Sequence, residues 1–179
     1  MRFTKFAFML GMLAVTLFSA CRKDKDDFAY EDEYNKSYKA WLAFKASAGD
    51  SYSYVLSRER SNVSKEELRL TTTVVNGKVT KRAFARIKIA QSGNEVLEEW
   101  TEEGATLGSH EAPFLFGLLT MDQFYGHVRM EILKLNSDFE YDFKAENNGM
   151  ISYVSVKSKT LICIDDCYSG YYVKDIQKL

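Results

Sequence analysis

Two cysteines stand close together near the carboxyl end, in the segment CIDDC at residues 163–167. Outside the cytoplasm, such a pair of cysteines usually forms a disulfide. Four extended steps of chain span roughly 13 Å, whereas bridged Cα atoms must lie within about 7 Å of each other. A disulfide between Cys163 and Cys167 therefore requires a turn at Asp165 and Asp166, and aspartate favours turns.

Metal binding is the alternative for these residues. A zinc site needs more ligands than two thiolates, and His110 and His127 lie far away in the sequence. Asp165 and Asp166 are candidate calcium ligands, but no recognisable loop of oxygen ligands surrounds them. We therefore expect a turn at this position, bridged by the two cysteines, and no metal site.

A cluster of acidic residues surrounds Trp100 and comprises Glu98, Glu99, Glu102 and Glu103. Two carboxylates can hydrolyse a glycosidic bond, one as the acid and the other as the base or nucleophile. The same cluster is typical of a solvated strand edge or loop, which is the interpretation we favour. A hydrolase that uses Glu98 or Glu102 is therefore a less favoured functional hypothesis.

Other catalytic and cofactor motifs are missing from the sequence. His110-Glu111 lacks the spacing of a helical zinc motif. The chain has no Gly-x-Ser-x-Gly, no phosphate-binding loop and no dinucleotide fingerprint. The sequence therefore predicts a protein that is not an enzyme and that has no catalytic, cofactor-binding or metal-binding residues.

The remaining cysteine, Cys21, ends an apolar amino-terminal segment. Arg2 and Lys5 precede a mostly apolar run at residues 6–18, and the small residues Ser19 and Ala20 follow it. This order is typical of a secretory signal, and the run is too short for a membrane-spanning helix of about 20 residues. The end of the segment resembles the lipobox of bacterial lipoproteins, with Phe18 in place of the usual leucine, valine or isoleucine.

That resemblance implies that Cys21 becomes the first mature residue and carries acyl chains such as palmitate. Several acyl chains on one cysteine anchor a protein stably to a membrane. We therefore expect a signal peptide at residues 1–20, and a lipidated cysteine with a charged tether at residues 21–27. Residues 22–27, RKDKDD, also resemble the export signal of Bacteroidota surface lipoproteins, and a plain solvated spacer is the alternative. The expected location is the outer membrane, on its surface or its periplasmic face.

The charge of the mature chain argues against nucleic acid as a partner. The full chain has 24 basic and 25 acidic side chains. Loss of Arg2 and Lys5 with the signal leaves 22 basic side chains, for a formal charge of about −3, whereas a nucleic-acid binder has a clustered basic excess.

The spacing of apolar residues predicts two helices and a sheet in a single α+β domain at residues 28–179. The first helix has an aromatic face that includes Tyr34, Tyr38 and Trp41. Thr120 and Gln123 form a capping box at the start of the second, whose apolar face runs from Met121 to Leu135. Alternating segments joined by turns such as Asn76-Gly77 predict an antiparallel sheet of about six or seven strands.

Several landmarks together resemble an uncharacterised family of small secreted bacterial lipoproteins. They are Trp41, the strand Tyr52-Ser53-Tyr54, the hairpin Asn76-Gly77-Lys78-Val79, the helix start Thr120-Met121-Asp122-Gln123-Phe124, Tyr141-Asp142, and Tyr171-Tyr172-Val173. This chain departs from the family pattern in having Asn148-Gly149-Met150 in place of Gly-Tyr-Pro, and no cysteine pair after Tyr54. The resemblance implies a secreted α+β domain and no particular activity.

Taken together, the residues predict a lipoprotein of the cell envelope that acts as a non-catalytic binding module, with an envelope protein as its partner. The alternative is a secreted inhibitor or a carrier of a small apolar ligand. The carrier would hold its ligand beneath the apolar segment at residues 114–119.

Overall fold

The computed structural model describes residues 28–60, 65–111, 117–160 and 168–179. The elements in chain order are α1 (Glu31–Ser47), β1 (Tyr52–Arg60), β2 (Glu66–Val75), β3 (Lys78–Lys88), β4 (Glu95–Glu103), α2 (Met121–His127), β5 (Phe139–Lys144), β6 (Tyr153–Ser158) and β7 (Tyr168–Lys178). The strands form one antiparallel sheet in the order β4-β3-β2-β1-β7-β6-β5. The prediction of an α+β fold with one hairpin-built sheet and two helices is therefore confirmed.

The hairpin between β2 and β3 shows how local sequence sets the register of the sheet. Asn76 and Gly77 adopt φ angles of 50° and 73°, which a two-residue turn of this kind requires. Val75 then pairs with Lys78, and the pairing continues to Glu66 opposite Lys88, with one bulge near Thr73. The Asn-Gly turn predicted from the sequence is confirmed.

Both helices pack on one face of the sheet through aromatic side chains. The Trp41 ring of α1 meets the Tyr52 ring of β1 edge-on, with centroids 4.8 Å apart. Phe124 of α2 meets Tyr171 of β7 in the same manner, at 6.3 Å. All four side chains are buried, so the aromatic face of α1 packs on the sheet, as its spacing predicts.

The start of α2 is the predicted capping box. The Gln123 backbone N–H donates to Thr120 Oγ1 at 3.4 Å, and the Thr120 N–H donates to Gln123 Oε1 at 2.8 Å. The next N–H, that of Met121, donates to the Tyr52 hydroxyl at 3.1 Å. Side chains thus satisfy three donors at the helix start, one of them from the sheet beneath.

At the end of the second helix, the buried residues differ from those predicted for its apolar face. Beyond α2 the chain continues as a π-helical turn, Val128–Ile132, in which the Leu133 N–H donates to the Val128 carbonyl at 2.8 Å. This wider turn shifts the helical phase, so Leu133 is fully buried and Leu135 is 56% exposed. The prediction that Leu135 lies on the core face is wrong for this reason.

The other face of the sheet has a chain of charged side chains across β1. Lys174 of β7 reaches Glu67 of β2 at 3.1 Å, and Glu67 also pairs with Arg69 at 2.9 Å. These side chains pass over Val55 and Ser57 of the strand between them, and both are buried. Burial raises the pKa of Glu67, but Arg69 and Lys174 outweigh this and lower it overall.

A buried tyrosine hydroxyl links the two helices to the β5–β6 connection. Tyr125 Oη lies 2.8 Å from Ser37 Oγ and shares a hydrogen bond with it. The same hydroxyl accepts from the Ile151 N–H at 2.9 Å, and all three residues are buried.

We expect Tyr125→Phe to destabilise the domain by about 1–3 kcal/mol, because the Ile151 N–H and the Ser37 hydroxyl lose a buried partner. Urea unfolding followed by circular dichroism measures the change. Tyr38→Phe is the matched control, since the Tyr38 hydroxyl bonds to no described residue and its ring stacks on Tyr34. Equal stability of the two variants would contradict the role given to the Tyr125 hydroxyl.

Candidate functional site

Strands β3 and β4 face each other through three matched pairs on the helix side of the sheet. Arg82 lies opposite Glu102, Phe84 opposite Trp100, and Arg86 opposite Glu98. The Phe84 and Trp100 rings stack with centroids 5.3 Å apart. Arg86 Nε lies 3.3 Å from Glu98 Oε2, without the alignment of a hydrogen bond. We call these six residues the cross-strand ladder.

The pair at one end of the ladder is fully buried. The Arg82 side chain is 2% exposed and that of Glu102 is 0% exposed, and the Arg82 guanidinium donates to the Glu102 carboxylate. Buried ions lose their hydration, so such a pair persists only when further hydrogen bonds complete it. Those bonds come from the chain that follows β4, residues 104–111.

The Glu102 carboxylate binds the backbone of this following segment at two points. The Gly108 N–H donates to Glu102 Oε1 at 2.9 Å, and the His110 N–H donates to Oε2 at 3.1 Å. Arg82 Nη2 donates to the His110 carbonyl at 3.0 Å. The ion pair therefore holds residues 104–111, which we call the β4 loop, against the sheet.

Gly108 is required by the turn that brings these N–H groups to Glu102. Its φ angle is +89°, a region that side-chain-bearing residues rarely adopt. A Cβ atom there would meet Leu118 at 3.7 Å, an ordinary contact. The backbone angle, and not lack of space, therefore explains why glycine stands at this position.

The pKa of Glu102 reflects these contacts. Burial alone would raise it above the ordinary value of 4.5. The N–H groups of Gly108 and His110 and the Arg82 guanidinium outweigh burial and hold the pKa at about 2. Glu102 is therefore ionised at neutral pH, as an anchor for N–H groups should be.

The exposed part of the site is the ring of His110, which stacks on the ladder residue Trp100. The His110 ring stacks on Trp100 with centroids 4.6 Å apart and an interplanar angle of 11°. Arg82 lies over the same indole, 5.5 Å from its centroid. The side chain of His110 is 45% exposed, so one ring of a rigid stack faces solvent.

The serine, histidine and carboxylate at this site do not have the geometry of a catalytic triad. Ser109 Oγ lies 3.2 Å from His110 Nδ1, and Glu102 Oε2 lies 3.4 Å from the same nitrogen. In a proton relay the hydroxyl and the carboxylate occupy opposite ring nitrogens. The arrangement is suited to holding the imidazole in one orientation.

The acidic cluster predicted around Trp100 divides between the two faces of the sheet. Glu98 and Glu102 point to the helix side, each opposite an arginine, while Glu99 and Glu103 alternate to the other side. The Cα atoms of Glu98 and Glu102 are separated by roughly 13 Å along the strand, and each carboxylate pairs with its own arginine of β3. For Glu102, the expectation of a solvated edge is wrong, because Arg82 and the β4 loop enclose it.

A sequence signal for the ladder exists. Residues 82–86 read Arg-x-Phe-x-Arg and residues 98–102 read Glu-x-Trp-x-Glu, so charges and rings match at alternate positions. Opposite charges and aromatic pairs favour each other across antiparallel strands. Sequence reasoning considered the acids without the facing arginines and therefore missed both the ladder and the role of Arg82.

The structure describes few of the other predicted site residues. Cys21, Cys163, Cys167, Asp165 and Asp166 lie outside the described residues, so the lipid attachment, the disulfide and the calcium alternative stay predictions. Within the described residues, no group of three or more histidine, cysteine, aspartate or glutamate side chains could hold a metal ion. His127 is half-buried in α2, and burial lowers its pKa.

The described grooves are shallow. One of about 600 Å³ lies beside β5 and is lined by Tyr30, Tyr141 and Lys159 among others. Another of about 490 Å³ lies on the open face, between Arg69 and Glu99 with Ala83 and Ala85 in its floor. A carrier encloses most of its ligand, which neither groove does. Residues 114–116 of the predicted ligand site are outside the described residues.

Comparison with protein-family models, with curated proteins and with solved structures gives no match. No helix in the described part of the chain has the length and apolar character needed to cross a bilayer.

We expect Glu102→Gln to cost about 3 kcal/mol or more in the free energy of unfolding, because it leaves the Arg82 charge buried without its counter-ion. Glu98→Gln is the matched control on the same face of the same strand. Its side chain is 50% exposed, and its loss should change stability by about 0.5 kcal/mol or less. Urea unfolding of both variants provides the measurement, and equal losses would contradict the assignment of Glu102 as the anchor of the β4 loop.

The same carboxylate should make stability depend on acid. Its pKa is about 2 in the folded chain and near 4.5 when unfolded, so the unfolded chain takes up the proton first as the pH falls. The stabilisation is complete above about pH 4.5 and is lost as the pH falls towards about 2. The difference in unfolding free energy between the wild type and Glu102→Gln should narrow over this range. A constant difference down to about pH 2.5 would contradict the lowered pKa.

Proposed function

We propose that this chain is a lipid-anchored, non-catalytic binding module of the bacterial cell envelope, which recognises an envelope protein through the β4 loop. The observation that carries the proposal is the Glu102 carboxylate, which binds the loop backbone at Gly108 and His110. A backbone that is already ordered before contact lowers the entropic cost of binding through the side chains it exposes. The β4 loop has this property.

The cost of the ion pair supports a role in presenting the loop. Replacing a buried ion pair with apolar side chains is often neutral or stabilising, so stability alone does not explain Arg82 and Glu102. What apolar side chains could not do is accept two backbone N–H groups and donate to the His110 carbonyl. The pair specifies one conformation of the loop, with Ser109, His110 and Glu111 exposed.

The position of the β4 loop agrees with attachment at Cys21. The first described residue, Phe28, pairs with Lys134, which precedes β5 and whose carbonyl accepts a hydrogen bond from Tyr141 of β5. The start of β5 lies at the same end of the sheet as the β3–β4 turn, on the opposite edge. The β4 loop follows the other end of β4. A domain tethered at residues 21–27 would therefore hold the loop away from the membrane.

Site-specific photo-crosslinking in intact cells tests this proposal. A photoreactive residue at Ser109 should give one discrete crosslinked species in the envelope fraction, and the same residue at the exposed Lys39 of α1 should not. Cys21→Ser should move the chain from the membrane fraction to the soluble fraction. Equal or absent crosslinking from the two positions would contradict recognition by the loop, and unchanged fractionation of Cys21→Ser would contradict the anchor.

A further inference from the structure

One end of the sheet combines the entry of the tether with exposed apolar side chains. Phe28 pairs with Lys134, and the Ala29 N–H donates to the Leu133 carbonyl at 2.9 Å. Leu135, two residues further on, is 56% exposed. The chain therefore enters the domain immediately beside an unburied leucine.

The β3–β4 hairpin extends to the same end of the sheet. At the end of β3, Lys88 pairs with Glu66 of β2 and with Glu95 of β4. The start of β5 lies at this same end of the sheet, on the opposite edge. Three apolar side chains surround the hairpin turn and are exposed: Ile89 at 40%, Val96 at 54% and Leu97 at 38%. With Leu135 they form what we call the tether-end patch, which has two parts at the two edges of the sheet.

We propose that the tether-end patch contacts the lipid bilayer to which Cys21 is attached. The domain then stands on the membrane surface with its strands roughly perpendicular to the membrane plane. This inference rests on the proposed function for the anchor alone. The length of the tether is the reason for choosing the bilayer as the surface that the patch contacts. Residues 21–27 reach at most about 25 Å when fully extended, so the end that contains Phe28 is kept next to the bilayer.

Tethering makes a small apolar surface sufficient. A group attached by a short flexible linker meets its target at an effective concentration in the millimolar range, so contacts too weak for a free protein are occupied. Isoleucine, valine and leucine side chains favour the boundary between head groups and acyl chains. Two separated points of contact, at the hairpin and at Leu135, would also fix the tilt of the domain.

The charges at this end do not account for the apolar contact. Exposed Lys65, Lys88, Lys134, Lys157 and Lys159 lie there with exposed Glu95, Asp138 and Glu140, a basic excess that would attract anionic lipid as well. A bilayer of phosphatidylcholine and phosphatidylethanolamine contains no anionic lipid, so it isolates the apolar contact. On that bilayer the contact should form and should change little with salt.

Depth-dependent quenching of an introduced tryptophan tests the proposal. The full chain, purified from membranes in detergent with its lipid, is reconstituted into phosphatidylcholine–phosphatidylethanolamine vesicles with or without brominated acyl chains. Leu97→Trp places the probe in the patch. Val75→Trp is the matched control, because Val75 is 37% exposed and lies at the opposite end of the sheet. Trp41 and Trp100 contribute the same background to both.

We expect brominated lipid to remove roughly half of the emission added by Leu97→Trp and to leave that of Val75→Trp unchanged. Leu135→Trp is a second probe of the patch, should the hairpin variant fail to fold. Equal quenching at the two ends overturns the proposal, as does a blue shift at Leu97→Trp without quenching, which would assign the patch to contact with a second copy of this chain. Failure of the wild type to float with the vesicles rejects the anchor, and the proposal with it.

Discussion

The width of the sheet is the constraint on which the rest of the fold depends. Seven strands at a spacing of about 4.8 Å make a sheet roughly 29 Å wide, whereas two helices about 10 Å in diameter cover roughly 20 Å of it. The helices contact β1, β5 and β7 through Trp41, Tyr34 and Phe124, which leaves β3 and β4 to be covered by other parts of the chain. The cross-strand ladder and the β4 loop meet this requirement.

A polar arrangement is consistent with that position. The apolar core reaches Phe84, with Trp100 packed at its border. Beyond it, the cover on β4 is a loop, and loop backbone has N–H groups that must find partners when they are placed against a sheet. The Glu102 carboxylate accepts two of them, and Arg82 neutralises the carboxylate while it binds a loop carbonyl. One buried ion pair therefore joins an irregular segment to a regular one.

The sequence predicts those parts of the fold that depend on neighbouring residues. The Asn76-Gly77 turn and the Thr120–Gln123 capping box are both local, and both are confirmed. The end of the second helix is not local in this sense: Leu135 has the correct helical spacing, but the π-helical turn at Val128–Ile132 brings Leu133 into the core in its place. Nothing in the spacing of apolar residues indicates such a turn.

Predicting the candidate site requires knowing which strands are neighbours in the sheet. Glu102 belongs to a run of acids that is typical of a solvated edge, and β4 is an edge strand. Its burial follows from Arg82, which is 20 residues away in sequence, and from the loop that returns over it. The sequence contains both halves of the ladder, but only the β3–β4 register shows that they face each other.

A single strand, β4, runs between the two ends of the sheet that carry these features. β4 begins beside Val96 and Leu97 at the end where the chain enters, and it ends at Glu102 and Glu103, where the β4 loop starts. Val96 and Glu102 are six residues apart in this strand, a distance of roughly 20 Å. β4 is paired with β3 on both sides of a bulge at Leu97, so the hairpin and the anchor of the loop belong to one pair of strands. The proposed orientation of the domain at a membrane and the proposed presentation of the β4 loop would therefore depend on the same hairpin.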